Sequence, residues 1–139
     1  MEAGNPLAVT RVGVRSYELD SFGHLNHAVY LSYFEHARFD ALASWGLPAS
    51  AFAARDQAVH VVRVEIDYVS EAMMGQEMEI LTRPDATRNS SFSLLQEARD
   101  PADPDRVFAR ARVVLVWIGP DRRPMRIPAD ARSALGLTE

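Results

Sequence analysis

Tyr17-Glu18-Leu19-Asp20-Ser21-Phe22-Gly23-His24-Leu25-Asn26-His27, with the segment that follows it, decides how the rest of the chain folds. It sets a carboxylate, a glycine turn and a helix start within a few residues. Asn26 suits an N-cap, because its side-chain oxygen accepts from the free amides of a first helical turn. The spacing predicts a helix from about His27 to Trp45, stopped by Gly46 with Pro48 just beyond. At 100° per residue Tyr30, Phe34, Ala37, Ala41 and Trp45 share one face, and Ala28, Leu31, Phe39 and Leu42 widen it. That leaves a narrow polar strip at Ser32, His36, Asp40 and Ala43. A helix apolar around most of its circumference is a buried one. Glu35 and Arg38, three residues apart within the apolar sector, are placed to pair there.

Upstream, Val9 to Leu19 partly alternates and reads as a strand, after a loose lead-in over Met1–Ala8. Downstream, beyond a short helix or loop over Pro48–Gln57, the period changes from 3.6 to 2. Val62, Val64, Ile66 and Tyr68 alternate with Arg63, Glu65 and Asp67. Gly75 marks a turn, after which Met78, Ile80 and Thr82 form the next apolar row. Arg83–Ser90 reads as a turn region, Phe92–Ala98 as a strand and Asp100–Asp105 as a hairpin loop. In the last strand Val107, Ala109, Ala111, Val113, Leu115 and Trp117 point one way and Arg110 and Arg112 the other. Gly119-Pro120-Asp121 ends it, and Pro128 opens a short helix through about Leu135. One buried helix beside five strands joined mostly by short loops predicts an α+β layer with an antiparallel sheet, as a single domain over residues 1–139.

Composition removes whole classes of chemistry. With 0 Cys there is no thiol nucleophile, disulfide or thiolate metal site. All 15 basic residues are Arg, so Schiff-base chemistry and the Walker lysine are excluded too. There is no G-x-S-x-G elbow. His24, His27, His36 and His60 lack metal-ligand spacing, so no metal site is expected. A net charge of -4 disfavours nucleic acid as main partner. No apolar run reaches membrane-spanning length, and no basic-then-apolar leader opens the chain, so a cytoplasmic protein without a membrane partner is expected.

The pattern Tyr17-x-x-Asp20-x-x-Gly23-His24-Leu25-Asn26-x-x-x-Tyr30-x-x-Tyr33-x-Glu35-x-Ala37-Arg38 resembles the hotdog-fold acyl-CoA thioesterases. The similarity is greatest to the 4-hydroxybenzoyl-CoA thioesterase-like group, including its long-chain acyl-CoA members. Val64-x-Ile66-x-Tyr68 before Gly75, and Ile127-Pro128-Ala129-Asp130, resemble later segments of that family. Val69-Ser70-Glu71 stands where many members carry Arg-Pro or a similar pair. The resemblance implies a hotdog fold, with an antiparallel sheet around one long central helix. It also implies a homodimer or homotetramer with sites at the subunit interface, an acyl-CoA substrate, and no metal or redox cofactor.

A thioester has a good leaving group; what its hydrolysis needs is a nucleophile or base, and stabilisation of the oxyanion. Asp20 supplies the first, either by attacking the carbonyl or by deprotonating water. Backbone amides near His27 and Ala28, at the positive end of the helix dipole, supply the second, and one such donor is worth about 3 kcal/mol in a transition state. Gly23 turns the chain and permits close approach of a ligand. His24 is placed to bond the Asp20 carboxylate or touch substrate. Glu35 is the second candidate acid, since in another hotdog branch the carboxylate comes from the central helix. Asn26, Tyr30 and Arg88 complete the candidate binding set, Tyr30 towards the acyl group and Arg88 towards the CoA phosphates. Two rival readings keep the fold: a hydratase or dehydratase on acyl thioesters, and a non-catalytic acyl-thioester-binding protein.

Overall fold

The computed structural model describes residues 6–136, so most of the lead-in expected over Met1–Ala8 lies outside the described residues. Five strands make one antiparallel sheet in the order β1 (Ala8–Gly13), β3 (Glu77–Thr87), β4 (Ser91–Asp100), β5 (Asp103–Ile118), β2 (Ala58–Tyr68). The long helix α1 (Val29–Ser44) follows β1 and lies against β1 and β3. Short helices α2 (Ala49–Arg55) and α3 (Ala129–Ala134) complete the chain. This is the α+β hotdog arrangement that the resemblance implied. Among the described residues no helix is long and apolar enough to cross a membrane.

The core lies between one face of α1 and the inward residues of the sheet. Tyr30, Tyr33, Phe34, Ala37 and Leu42 cluster with Met78, Ile80, Phe92, Leu94, Val113 and Trp117, all buried. Each fully buried large side chain of this kind stabilises the fold by roughly 1.5–3 kcal/mol. The period-2 reading of β5 holds from Ala109 to Trp117, with Arg110 and Arg112 exposed between buried neighbours; it breaks at Val107–Phe108, both buried, where the pairing with β4 slips by one residue. The helix, however, is half exposed rather than buried nearly all round. Leu31, Glu35 and Phe39 join Ser32, His36, Asp40 and Ala43 on the outer side. Nor do Glu35 and Arg38 form a buried pair. Glu35 is exposed, whereas buried Arg38 donates to Gln96 Oε1 at 3.1 Å. Gln96 in turn donates to Thr82 Oγ1 and to the Phe34 carbonyl, both at 3.0 Å. This long-range network satisfies the buried polar groups that an apolar core would leave unpaired.

Three boundaries differ from the sequence pattern for identifiable reasons. β1 stops at Gly13 instead of running to Leu19, because Glu18 reaches back to the Arg15 amide (2.9 Å) and closes a 3₁₀ turn over Ser16–Glu18. Such local side-chain bonds compete with strand pairing. Pro84 and Asp85 fall inside β3 and not in a turn. The pairing register slips between Pro84 and Ala86, past the last β1 partner of β3, so the missing proline N–H costs no ladder bond to β1. The hairpin between β4 and β5 is tighter than Asp100–Asp105: Asp100 already pairs with Asp103.

Candidate active site

β1 hands the chain to the loop through buried Val14, whose amide donates to the Gln76 carbonyl (3.0 Å) and whose carbonyl accepts from Gly75 (2.9 Å). After the 3₁₀ turn, residues 19–25 close on themselves. Leu19 bridges to Leu25. The Asp20 amide donates to the His24 carbonyl (2.8 Å), and the Gly23 amide donates to the Asp20 carbonyl (3.1 Å). Gly23 stands at φ +83°, with open space where a Cβ would project. A side chain there would be strained by its backbone conformation and not by a clash.

Inside this loop Asp20 Oδ1 accepts from the amides of Phe22 (2.9 Å) and His24 (3.1 Å). The His24 amide is the largest influence on the carboxyl; partial burial opposes it, and the Phe22 amide and the nearby His24 and His27 rings add to it. The net effect holds the Asp20 carboxyl below the usual carboxylate range. Among the described residues Oδ2 accepts no hydrogen bond, so Asp20 is an ionised carboxylate with one oxygen free.

The opposite wall comes from the segment after β2, which the sequence had not marked as part of the site. Leu25 donates to the Ala72 carbonyl (2.8 Å), and His24 bridges to Met73. Between the two segments opens a cavity of about 340 Å³ lined by Asp20, His24, His27, Tyr30, Tyr68 and Glu71, among others. The His24 ring does not reach for the Asp20 carboxylate; its Nε2 lies 3.2 Å from Glu71 Oε1. Tyr68 donates its hydroxyl to the His27 carbonyl (2.9 Å) and packs edge-on against Tyr30 at 5.4 Å. Burial, with a smaller effect from Tyr68, pushes the Tyr30 hydroxyl up to about 12, so it stays protonated across the neutral range.

The start of α1 is shifted from the sequence expectation. Asn26 Oδ1 accepts from the Ala28 amide (2.8 Å) and the Asn26 carbonyl from Val29 (3.0 Å), and the helix begins at Val29 rather than His27. Asn26 therefore makes the turn that leads into the helix. It also takes up the Ala28 amide, which removes that group from the two expected carbonyl donors. The His27 amide has no acceptor among the described residues, and His27 lines the cavity. A free N–H at the positive end of a sixteen-residue helix is a ready partner for a developing oxyanion.

Glu35 and Arg88 are not brought to this place. Glu35 lines a separate cavity of about 440 Å³ with Arg38, Phe39, His60 and Val61. Arg88 sits in the turn between β3 and β4, where its amide donates to Ser91 and its carbonyl accepts from Arg132. A third cavity, of about 610 Å³, is lined by Leu81, Leu95, Arg83, Glu97 and Arg110. Its carboxylate, Glu97, is tied to Arg110 at 3.1 Å. Of these three cavities the 340 Å³ one is the better site, because it joins a free carboxylate oxygen to a free helix-start amide among the described residues and the other two do not. No group of three His, Cys, Asp or Glu among the described residues could hold a metal ion.

A family profile described as the thioesterase-like superfamily matches residues 14–135. The acyl-acyl carrier protein thioesterase ATL3, chloroplastic, of Arabidopsis thaliana is 29% identical over 125 residues, 86% of this chain and 63% of the relative. The long-chain acyl-CoA thioesterase FadM of Escherichia coli (strain K12) is 31% identical over 90 residues, 63% of this chain and 65% of the relative. The chain thus spans slightly less than two thirds of the length of these curated relatives. Among solved structures, the hypothetical protein TT1821 from Thermus thermophilus superposes with a TM-score of 0.85 at 28% identity, covering 95% of this chain and 99% of that one.

Proposed function

The chain belongs to the thioesterase-like superfamily, and from that premise we propose that it hydrolyses an acyl thioester, with an acyl-CoA as substrate, to a free acid and a thiol. The observation that carries the reading is the Asp20 carboxylate, with Oδ2 free, in one cavity with the unpaired His27 amide. The thioester carbonyl accepts from the His27 N–H while Asp20 Oδ2 attacks the carbonyl carbon or takes a proton from the attacking water. The C–S bond then breaks and the thiolate leaves. In the covalent route water afterwards cleaves the mixed anhydride and restores Asp20. His24, held by Glu71, and Tyr30 line the same cavity and contact the bound thioester.

The site works in a homodimer. Among the described residues β2 pairs with β5 along one edge only, and Val61, Val62, Leu31 and Phe39 are large apolar residues left exposed on β2 and α1. Such a patch, continuous with an unpaired strand edge, suits a second copy of the chain. In that assembly Glu35 faces the partner, and Arg88 is available to CoA phosphates.

Thiol release from short, medium, long and aryl acyl-CoAs tests the activity. Asp20→Asn keeps the loop acceptor Oδ1 and is expected to lower turnover by about 10³-fold or more without loss of fold. Wild-type turnover in a folded Asp20→Asn protein would overturn the assignment of Asp20. Tight binding of a non-hydrolysable acyl-CoA analogue, with no release across the panel, would make the chain a thioester-binding protein instead. Light scattering on Val62→Arg tests the dimer: a monomer is expected.

A further inference from the structure

We propose that the hydrogen bond between Tyr33 and Glu18 sets the Asp20 carboxylate against the start of α1, making Glu18 and Tyr33 positioning residues of the hydrolytic site. The inference rests on the reading of Asp20 given above. Tyr33, on the second turn of α1, donates its hydroxyl to Glu18 Oε1 at 2.5 Å. The same oxygen accepts from the Arg15 amide at 2.9 Å, and the Glu18 carbonyl accepts from the Asn26 amide at 2.9 Å. Glu18 is thereby fastened to the turn before the loop, to the residue that starts the helix and to the helix itself. Asp20 is two residues along.

The other bonds around Asp20 do not perform this task. The Asp20–His24 and Gly23–Asp20 contacts hold the loop to itself, and Leu25–Ala72 holds it to the segment after β2. Tyr68 ties the His27 carbonyl to β2. Among side-chain bonds between described residues, only Tyr33–Glu18 runs from the chain just before the loop to α1. Together with the backbone bond from the Asn26 amide to the Glu18 carbonyl, it sets how far Asp20 stands from the start of α1.

Neither residue lines the 340 Å³ cavity, so neither acts on substrate directly. The tyrosine ring is buried, and a phenylalanine would fill the same space; the hydroxyl adds this bond alone. Burial favours the neutral form of Glu18, but the bonds from Tyr33 and Arg15 outweigh it and hold the carboxyl below its ordinary value. Burial, then Glu18, push the Tyr33 hydroxyl well above the usual tyrosine range. The pair is therefore an anion with a neutral donor across the neutral range, a charge-assisted bond of fixed polarity.

The test uses steady-state thiol release by the full chain with its best acyl-CoA, alongside thermal unfolding. Tyr33→Phe is expected to lower kcat by about 100-fold, the effect of an ångström-scale misplacement of a reacting group, with KM within about threefold. The loss should persist well below the unfolding temperature. Glu18→Gln retains an oxygen that accepts from Tyr33 and Arg15 and should recover most of the turnover lost in Glu18→Ala. If Glu18→Ala does not fold, Tyr33→Phe and Glu18→Gln decide. A wild-type kcat in Tyr33→Phe, or a loss that disappears on cooling, overturns the proposal. So does a Glu18→Gln protein no better than a folded Glu18→Ala. Asp20→Asn run in parallel separates the two readings: if it is inactive while Tyr33→Phe is fully active, only the positioning role fails. If Asp20→Asn is itself active, the catalytic reading fails.

Discussion

At the C-terminal end of α1 the chain seals itself. Gly46, at φ +86°, donates to the Ala43 carbonyl (3.1 Å), and Leu47 donates to Leu42 (2.8 Å), with both leucines buried. That pair of hydrogen bonds, with its apolar contact, satisfies the Leu42 and Ala43 carbonyls from within. At the N-terminal end Gly23 has nearly the same backbone angle, φ +83°, yet the chain there does not close over the helix. It builds a separate loop, takes up the Ala28 amide with Asn26 and leaves the His27 amide open beside a carboxylate. The two ends share helix chemistry and glycine geometry. They differ in whether the free backbone groups are consumed, and an active site needs the end where they are not.

The comparison can be broken first at the sealed end. Leu42→Ala removes a side chain only 2% exposed, between helix and sheet, and should destabilise the fold by about 2–5 kcal/mol. Turnover per folded molecule should stay at the wild-type value below the lowered unfolding temperature. A large fall in kcat in the folded protein would show that the two ends are coupled.

The two glycines give the sharpest contrast. At neither does any neighbouring atom lie within 4 Å of the point where a Cβ would stand, so Gly23→Ala and Gly46→Ala should each cost only the backbone strain, about 1–2 kcal/mol. Activity should separate them. Gly23→Ala is expected to lower kcat by about 100-fold by moving the Asp20 carboxylate, and Gly46→Ala to leave it unchanged. Equal activities in the two variants would remove the distinction drawn between the ends. A smaller effect is expected from Asn26→Ala, about 1 kcal/mol of stability for a lost cap-type bond. Because it frees the Ala28 amide as a second donor, its kcat should fall by less than tenfold.

How much of this was legible in sequence follows from how local each contact is. The Asp20 carboxylate, the Gly23 amide and the Asn26 side chain act through bonds to residues at most four positions away, and spacing alone exposes them. The alternation of β5 was legible because its inner face packs on the core and its outer face meets solvent. Glu71 and Tyr68 reach the site only because β2 ends beside the loop, more than forty residues along the chain. No periodicity encodes that approach. The three-residue spacing of Glu35 and Arg38 suggested a pair. Arg38 instead found Gln96 across the core, 58 residues away, because a buried donor takes whichever acceptor the sheet presents. In the sequence Tyr33 stood only as one member of the Tyr17–Arg38 pattern; only the folded position of Glu18 gives its hydroxyl a use.

The finest test separates the ends by pH. Asp20 carries a depressed pKa, caused first by the His24 amide and then by the Phe22 amide, against the opposing effect of burial. The reactive, ionised form should therefore persist below the ordinary aspartate value of 3.8, and the acid limb of kcat/KM should fall beneath it. The sign for stability is the same. A carboxyl whose folded pKa is depressed contributes stability that is present above its unfolded pKa and lost as pH drops through the folded one. Glu18, depressed as well, adds to that acid-side loss. The sealed end contains no such group among Trp45, Gly46 and Leu47, so Gly46→Ala should lower the unfolding temperature by the same amount at every pH. Gly23→Ala disturbs the turn that presents the His24 amide. It should move the acid limb of kcat/KM upward, toward the ordinary aspartate range. An acid limb unmoved in Gly23→Ala would show that the loop amides do not set the charge of Asp20.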